Sequence, residues 1–169
     1  MTGGLLEDAM AHHIWATEQI IDACAALTPE QLRTPAPGTY GSIIATLGHL
    51  VASDRWYLSF VREGVSQFDD ESEFGLDELR SAITGNGAAW MELLAEGLQP
   101  DTDIPEVDNG TEIHSPIGVR LAQVVHHGTD HRSQVCTALT SLGVTPPVID
   151  VWAYARATGR ETTSPAQEP

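Results

Sequence analysis

The sequence predicts an all-α protein: a four-helix bundle with a small β-hairpin before the fourth long helix. Three observations carry this reading. Four stretches of roughly 20 residues place apolar side chains at helical spacing. The breaks between them hold residues that end helices: Thr34-Pro35-Ala36-Pro37-Gly38, then Gly64, then Gln99-Pro100. Finally, Asn109-Gly110 stands between two short runs, and Asn-Gly is the strongest local signal for a tight hairpin. Helices of this length span about 30 Å, which suits a bundle.

In chain order, Leu5 to about Leu27 reads as the first long helix, with Leu6, Met10, Ile14, Ile21 and Cys24 near one face. Glu7 and Asp8 near its start suit the helix dipole. Thr28-Pro29-Glu30 opens a short helical turn. The second long helix runs from Ser42, an N-cap, to Arg62, with Ile43, Leu47, Leu50, Val51, Tyr57 and Leu58 as its stripe. Gln67 to Glu73 reads as an acidic, solvated loop, and Asp69-Asp70-Glu71 within it is not a metal site. The third helix, Leu76 to Leu98, carries Gly85-Asn86-Gly87 in its interior, where a kink is expected. Ile104 to His114 forms the hairpin. Ser115 as N-cap and Pro116 at the first position then start the fourth long helix, which ends at Leu142 before Gly143 and Pro146-Pro147. Ile149 to Ala157 is a short fifth helix. Residues 1–157 are thus one domain, and 158–169 are read as a disordered tail.

The composition narrows the function. A chain of 169 residues with 41% hydrophobic residues can build a core. Lys and Arg number 8 against 24 Asp and Glu, a net charge of -16, so nucleic acid and anionic lipid are excluded as partners. The most apolar run, Ile43 to Val61, is interrupted by His49, Asp54 and Arg55, which argues against a membrane span. The N-terminal residues lack a basic signal-peptide segment, so a cytoplasmic location is expected. Cys24 and Cys136 are too few for a disulfide framework and read as small core residues.

The chemistry points to histidines. His127 and His131 are four residues apart on the fourth helix, so they lie within about 40° of each other on one face. His49, in the middle of the second helix amid apolar neighbours, is the third candidate. Three imidazoles suit Zn, Ni, Fe or Co and leave coordination positions open for water or substrate. Alone, His49 would read as an ordinary core histidine; the pair on the fourth helix makes it a candidate ligand. His126 is turned about 100° from His127 and away from that face. His12 and His114 read as surface residues. His13 and Gln134 are candidate pocket residues, and Asp130 and Glu18 are candidate carboxylates for orienting the ligand rings. Trp15, Trp56 and Trp90 read as core or rim aromatics, and Asp54-Arg55 as helix-face charges or a structural ion pair.

Several segments together resemble the DinB/YfiT-like superfamily of metal-dependent bundle proteins. They are Thr46-Leu47-Gly48-His49-Leu50-Val51-Ala52-Ser53-Asp54-Arg55-Trp56, His127-Gly128-Thr129-Asp130-His131-Arg132-Ser133-Gln134, the opening His12-His13-Ile14-Trp15-Ala16, and Tyr40-Gly41-Ser42-Ile43. The resemblance covers about Leu5 to Leu142 in order. It implies a four-helix bundle, a divalent metal held by His49, His127 and His131, and in many members a homodimer. Characterised members include transferases and isomerases that use a low-molecular-weight thiol such as mycothiol, bacillithiol or glutathione. His126 departs from the asparagine frequent at that position in the family. The leading expectation is a metal-dependent thiol S-transferase acting on a small electrophile. A metal-dependent hydrolase and a non-catalytic, metal-binding stress-response bundle are the alternatives.

Overall fold

The computed structural model describes residues 4–62 and 74–165. Gly64 and the acidic stretch from Gln67 to Glu73 lie outside them. The described chain is mostly helical, with one small antiparallel hairpin. Its elements are α1 (Leu5–Cys24), α2 (Pro29–Arg33), α3 (Ile43–Val61), α4 (Leu76–Ala95), β1 (Asp103–Asp108), β2 (Thr111–Pro116), α5 (Ile117–Ser141) and α6 (Val151–Ala157).

Local chemistry sets the helix ends. α1 stops at Cys24 rather than Leu27 because Thr28 must be extended to cap α2. Thr28 Oγ1 accepts from the Gln31 N–H at 3.2 Å, and Gln31 Oε1 accepts from the Thr28 N–H at 2.9 Å, a reciprocal capping box with Pro29 following. Ser42 caps α3 as expected, accepting from the Ala45 N–H at 3.3 Å. α4 ends at Ala95, short of Leu98, because Gly97 takes a left-handed φ of 77° and closes the last turn. Ser115 does not cap α5. It pairs with Ile104 in the hairpin, which continues to Pro116, and Pro116 takes the N-cap position. The first amides of α5 instead donate to the preceding chain, Ile117 N–H to Thr102 O and Gly118 N–H to Pro100 O, both at 2.9 Å. Asn109 and Gly110 both have positive φ, 47° and 78°, as their two-residue turn requires. Arg120 ties the hairpin to α5, donating to Ile104 O at 2.9 Å and to Glu106 Oε2 at 3.2 Å.

α1 and α3 each pack against both α4 and α5, and α6 lies against α1. The apolar core divides in two. One cluster holds Ile20, Cys24, Ile43, Leu47, Leu50, Leu79, Ile83, Val135 and Leu139; the other holds Met10, Leu58, Trp90, Leu93, Ile117, Leu121 and Val124. Read along each helix, α1 and α5 run from the second cluster to the first, while α3 and α4 run the opposite way. Between the clusters, each of these four helices turns a buried polar side chain inward: His13 and Thr17, Asp54, Asn86, and Arg132. A polar layer therefore crosses the core at mid-height.

The Gly85-Asn86-Gly87 segment does not interrupt α4, which is helical throughout Leu76–Ala95. Asn86 is buried and donates to Val51 O at 3.2 Å. Gly87 allows close approach: a Cβ there would stand 2.9 Å from Ile14 Cγ2 on α1, whereas a Cβ at Gly85 would meet nothing within 4 Å. Of the tail read as disordered, the part to residue 165 is described, and Arg160 pairs with Asp8 on α1.

The two glycines should therefore respond oppositely. Gly85→Ala should stabilise the protein by about 0.8 kcal/mol through helix propensity. Gly87→Val should destabilise it by about 1–3 kcal/mol by overpacking against Ile14. Urea unfolding midpoints of the two variants test this.

Candidate metal centre

α3 and α5 pack side by side and bring His49 against His127 and His131. His127 Nε2 lies 3.2 Å from His49 Nε2 and 3.1 Å from His131 Nε2. One nitrogen can share a proton with one neighbour only, so hydrogen bonding alone leaves lone pairs facing each other. An ion resolves this. Four-coordinate zinc with Zn–N bonds of about 2.0–2.1 Å separates its nitrogens by roughly 3.3 Å. The observed spacing is thus one that a divalent ion can occupy. Among the described residues, this group of potential ligands consists of these three histidines.

The protonation states favour the same use. Burial, followed by the neighbouring His131 and His49, pushes the His127 ring down to about 4. It is therefore neutral at pH 7 and offers a lone pair. The His131 tautomer is set by Gln134. The Tyr40 N–H donates to Gln134 Oε1 at 2.8 Å, which fixes that atom as the amide oxygen. The same oxygen stands 3.2 Å from His131 Nδ1, so Nδ1 carries the hydrogen and Nε2 faces the cluster with its lone pair. Gln134 thus orients a ring of the cluster directly.

The loop from Thr34 to Ser42 makes this possible. Gly38 turns it with φ 78°, and Thr39 Oγ1 bonds Ala36 O and Gly41 O at 2.8 and 2.7 Å. The closed loop lays the Tyr40 ring flat on His49, with centroids 4.2 Å apart and planes 15° apart. Tyr40 is exposed, so it forms a rim over the cluster.

The other candidates fall elsewhere. His13 is buried in the polar layer of the core, 1% exposed. Its Nε2 stands 3.3 Å from Asp54 Oδ1, out of line for a hydrogen bond but close enough for attraction. Trp90 Nε1–H donates to the same oxygen at 3.0 Å, so Trp90 is a core residue with its polar edge satisfied, and Asp54 is buried rather than on a helix face. His126 is exposed, turned from the cluster. His114 is exposed and bonds Asp103. His12, expected at the surface, is half-buried and donates through Nε2 to Ile149 O at 2.8 Å. Glu18 accepts from Thr84 and faces Arg80, and Asp130 is exposed; Gln134 does for His131 what these carboxylates were expected to do. Trp15 packs on Tyr154, and Trp56 on Tyr57 and Phe60. Cys24 is buried, and desolvation drives its thiol up to about 12; Cys136 is half-buried and lines a cleft with α1 and the start of α6.

Asp54 was expected as a helix-face charge or in a structural ion pair, and Thr17 and Arg132 were given no role; all three are buried. A signal was present. Asp54 continues the Leu47, Leu50, Leu58 stripe, Thr17 continues Met10, Ile20 and Cys24, and Arg132 continues Leu121, Val124, Val135 and Leu139. A polar residue at a stripe position is a buried polar residue with a partner.

A mostly helical protein with a half-buried three-histidine cluster is what these elements define. The chain matches the DinB family over residues 3–167, and it belongs to that family. No curated protein matches it. No helix among the described residues is long and apolar enough to cross a membrane.

The depressed His127 ring has a pH consequence for the metal-free protein. Its folded value of about 4 lies below the unfolded value of 6.5, so the unfolded chain takes up its proton first. The stabilising neutral form is fully present above pH 6.5, and its contribution is lost as pH falls toward 4. Wild type should therefore lose more stability between pH 7 and pH 5 than His127→Gln does, measured by urea unfolding in chelator. Equal losses would remove His127 as the cause.

Proposed function

We propose that His49, His127 and His131 hold one divalent metal ion, Zn or Ni in first place with Fe and Co as alternatives. The four long helices, in this reading, are a four-helix bundle around that site. The observation that carries the proposal is the convergence of three imidazoles, with His127 Nε2 at 3.1–3.2 Å from the Nε2 atoms of the other two and potential ligand atoms of all three within 4.8 Å of one another, and with His131 held in the ligating tautomer by Gln134.

The reading continues to an enzyme that transfers a low-molecular-weight thiol of the mycothiol, bacillithiol or glutathione type to an electrophilic small molecule. A bound ion at such a site lowers the pKa of a coordinated thiol or water and supplies a nucleophile near neutral pH. The protein's part is to offer three imidazoles and no carboxylate, which would leave the ion's charge uncompensated. Burial keeps His127 unprotonated, and the Gln134 amide holds His131 in the ligating tautomer. Tyr40, itself exposed, shields one face of the His49 ring from water. The thiol itself comes from the resemblance described above. A homodimer in the cytoplasm, with neither nucleic acid nor membrane as partner, completes the reading; the net charge of -16 supports the exclusion of nucleic acid.

Untagged protein should contain one divalent metal per chain by elemental analysis. His49→Ala, His127→Ala and His131→Ala should each lose most of it, while His126→Ala keeps it. Metal at about 100 times its Kd should stabilise the fold by about 2.7 kcal/mol, seen as a higher Tm that chelator reverses. Full occupancy in all three ligand variants would sink the site.

The chemistry has its own test. With an electrophilic test compound, turnover should need both metal and thiol. Turnover in thiol-free buffer would make the protein a metal-dependent hydrolase. Metal binding without turnover across mycothiol, bacillithiol, glutathione and cysteine would leave a non-catalytic metal-binding bundle.

A further inference from the structure

Gly128 lies between the two histidines of α5, and its surroundings are unusually tight. A Cβ there would stand 2.3 Å from His13 Cε1, 2.4 Å from His13 Nδ1 and 2.8 Å from Arg132 Nη1. No side chain other than hydrogen fits without moving the His13 ring, and that ring is held on several sides. Arg132 Nη1–H donates to His13 Nδ1 at 2.9 Å and approaches His13 O at 3.3 Å and Thr17 Oγ1 at 3.2 Å. Arg132 Nη2–H donates to Thr129 Oγ1 at 3.1 Å. Guanidinium only donates, so Nδ1 of His13 accepts and the ring's hydrogen sits on Nε2, toward Asp54. The ring is therefore fixed in tautomer as well as position.

This assembly grips the one turn of α5 that matters for the cluster. Gly128 and Arg132, interleaved with His127 and His131, are buried on the side of α1 while the histidines meet His49, and the exposed Thr129 accepts from the far end of the guanidinium. α1 thus supplies, through the His13 ring, the surface against which this turn of α5 is seated. A small rotation of α5 about its axis would move the two imidazoles away from His49 on α3.

We propose that His13 and Arg132 are positioning residues for the three-histidine cluster: the His13 ring, wedged against Gly128 and clamped by Arg132, sets the depth and rotation of the α5 turn that presents His127 and His131 to the ion. Neither residue touches the ion. The proposal rests on the metal reading above and deepens it.

The test is a titration of metal-free protein with Co2+ alone, followed by visible absorption, beside urea unfolding of the same metal-free samples. Gly128→Ala forces the wedge apart. Arg132→Lys keeps the charge and removes the planar fork. Thr129→Val, a mild isosteric change, removes one acceptor of the fork and serves if either of the others fails to fold. Ile83→Ala, in the apolar core of α4, is the stability control. Gly128→Ala and Arg132→Lys should bind Co2+ roughly 10–100-fold more weakly, the usual loss when an outer partner of a metal site is removed. Their Co2+ spectra should also shift, because the ligand geometry changes. Thr129→Val should show a smaller loss of the same kind. Ile83→Ala should unfold more easily yet bind Co2+ with wild-type affinity and spectrum. Folded variants that bind Co2+ like wild type, or only as weakly as an equally destabilised control, would overturn the positioning role alone. Failure of the wild type to bind Co2+ would instead overturn the metal reading and this inference with it.

Discussion

Arg132 and Asp54 are charged side chains almost wholly withdrawn from water, each 2% exposed, and the His13 imidazole is what joins them. Burying either charge alone would cost several kcal/mol. Burial does pull the Arg132 guanidinium down to about 10, with Asp54 opposing the fall, and at that value it stays charged at neutral pH. The set comes together only when α1, α3, α4 and α5 stand at one mutual height, because His13, Asp54, Trp90 and Arg132 come one from each. The apolar clusters above and below would tolerate small slides, since dispersion and desolvation have little direction. The polar layer does not. It supplies the register that hydrophobic packing leaves loose.

The histidine cluster lies at the edge of this layer and uses the opposite electrostatic design. In the core, opposite charges offset one another across the His13 ring. At the cluster, three imidazoles converge with no carboxylate among them in the described residues, although the chain carries 24 acidic residues. Asp130, one residue from His131, is exposed. The donor set contains no carboxylate, so a cation held among the rings would keep its pull on whatever completed its coordination.

A loop rather than a helix finishes the site. Residues 34–42 hold no regular structure beyond the isolated Pro35–Ser42 bridge, yet this loop sets one tautomer through Gln134 and covers one ring through Tyr40. Proline and glycine end the preceding helical turn, and the Thr39 hydroxyl adds to the loop's own backbone bonds at Ala36 O and Gly41 O. The apparent breaker segment is thus also the piece that orients a histidine nearly a hundred residues later in the chain.

What the sequence determined by itself is what depends on short-range order. Apolar spacing located the four long helices to within a few residues, Asn109-Gly110 located the hairpin, and His127 and His131 were on one face by helix geometry alone. His49 as their partner was also legible, because its helix carried a lone histidine at a level from which it could reach them. Helix ends were read less well where caps competed: Thr28 shortened α1, Gly97 shortened α4, and backbone carbonyls at Pro100 and Thr102 displaced Ser115 as the cap of α5. Only the tertiary structure decided the roles of His13, Asp54, Arg132, Tyr40 and Gln134. Each is polar and could have faced water on its own helix or loop. What places each beside its partners is the packing of elements distant in sequence: a stripe position signals that Asp54 or Arg132 is buried, but the partner it meets is set only when the helices pack.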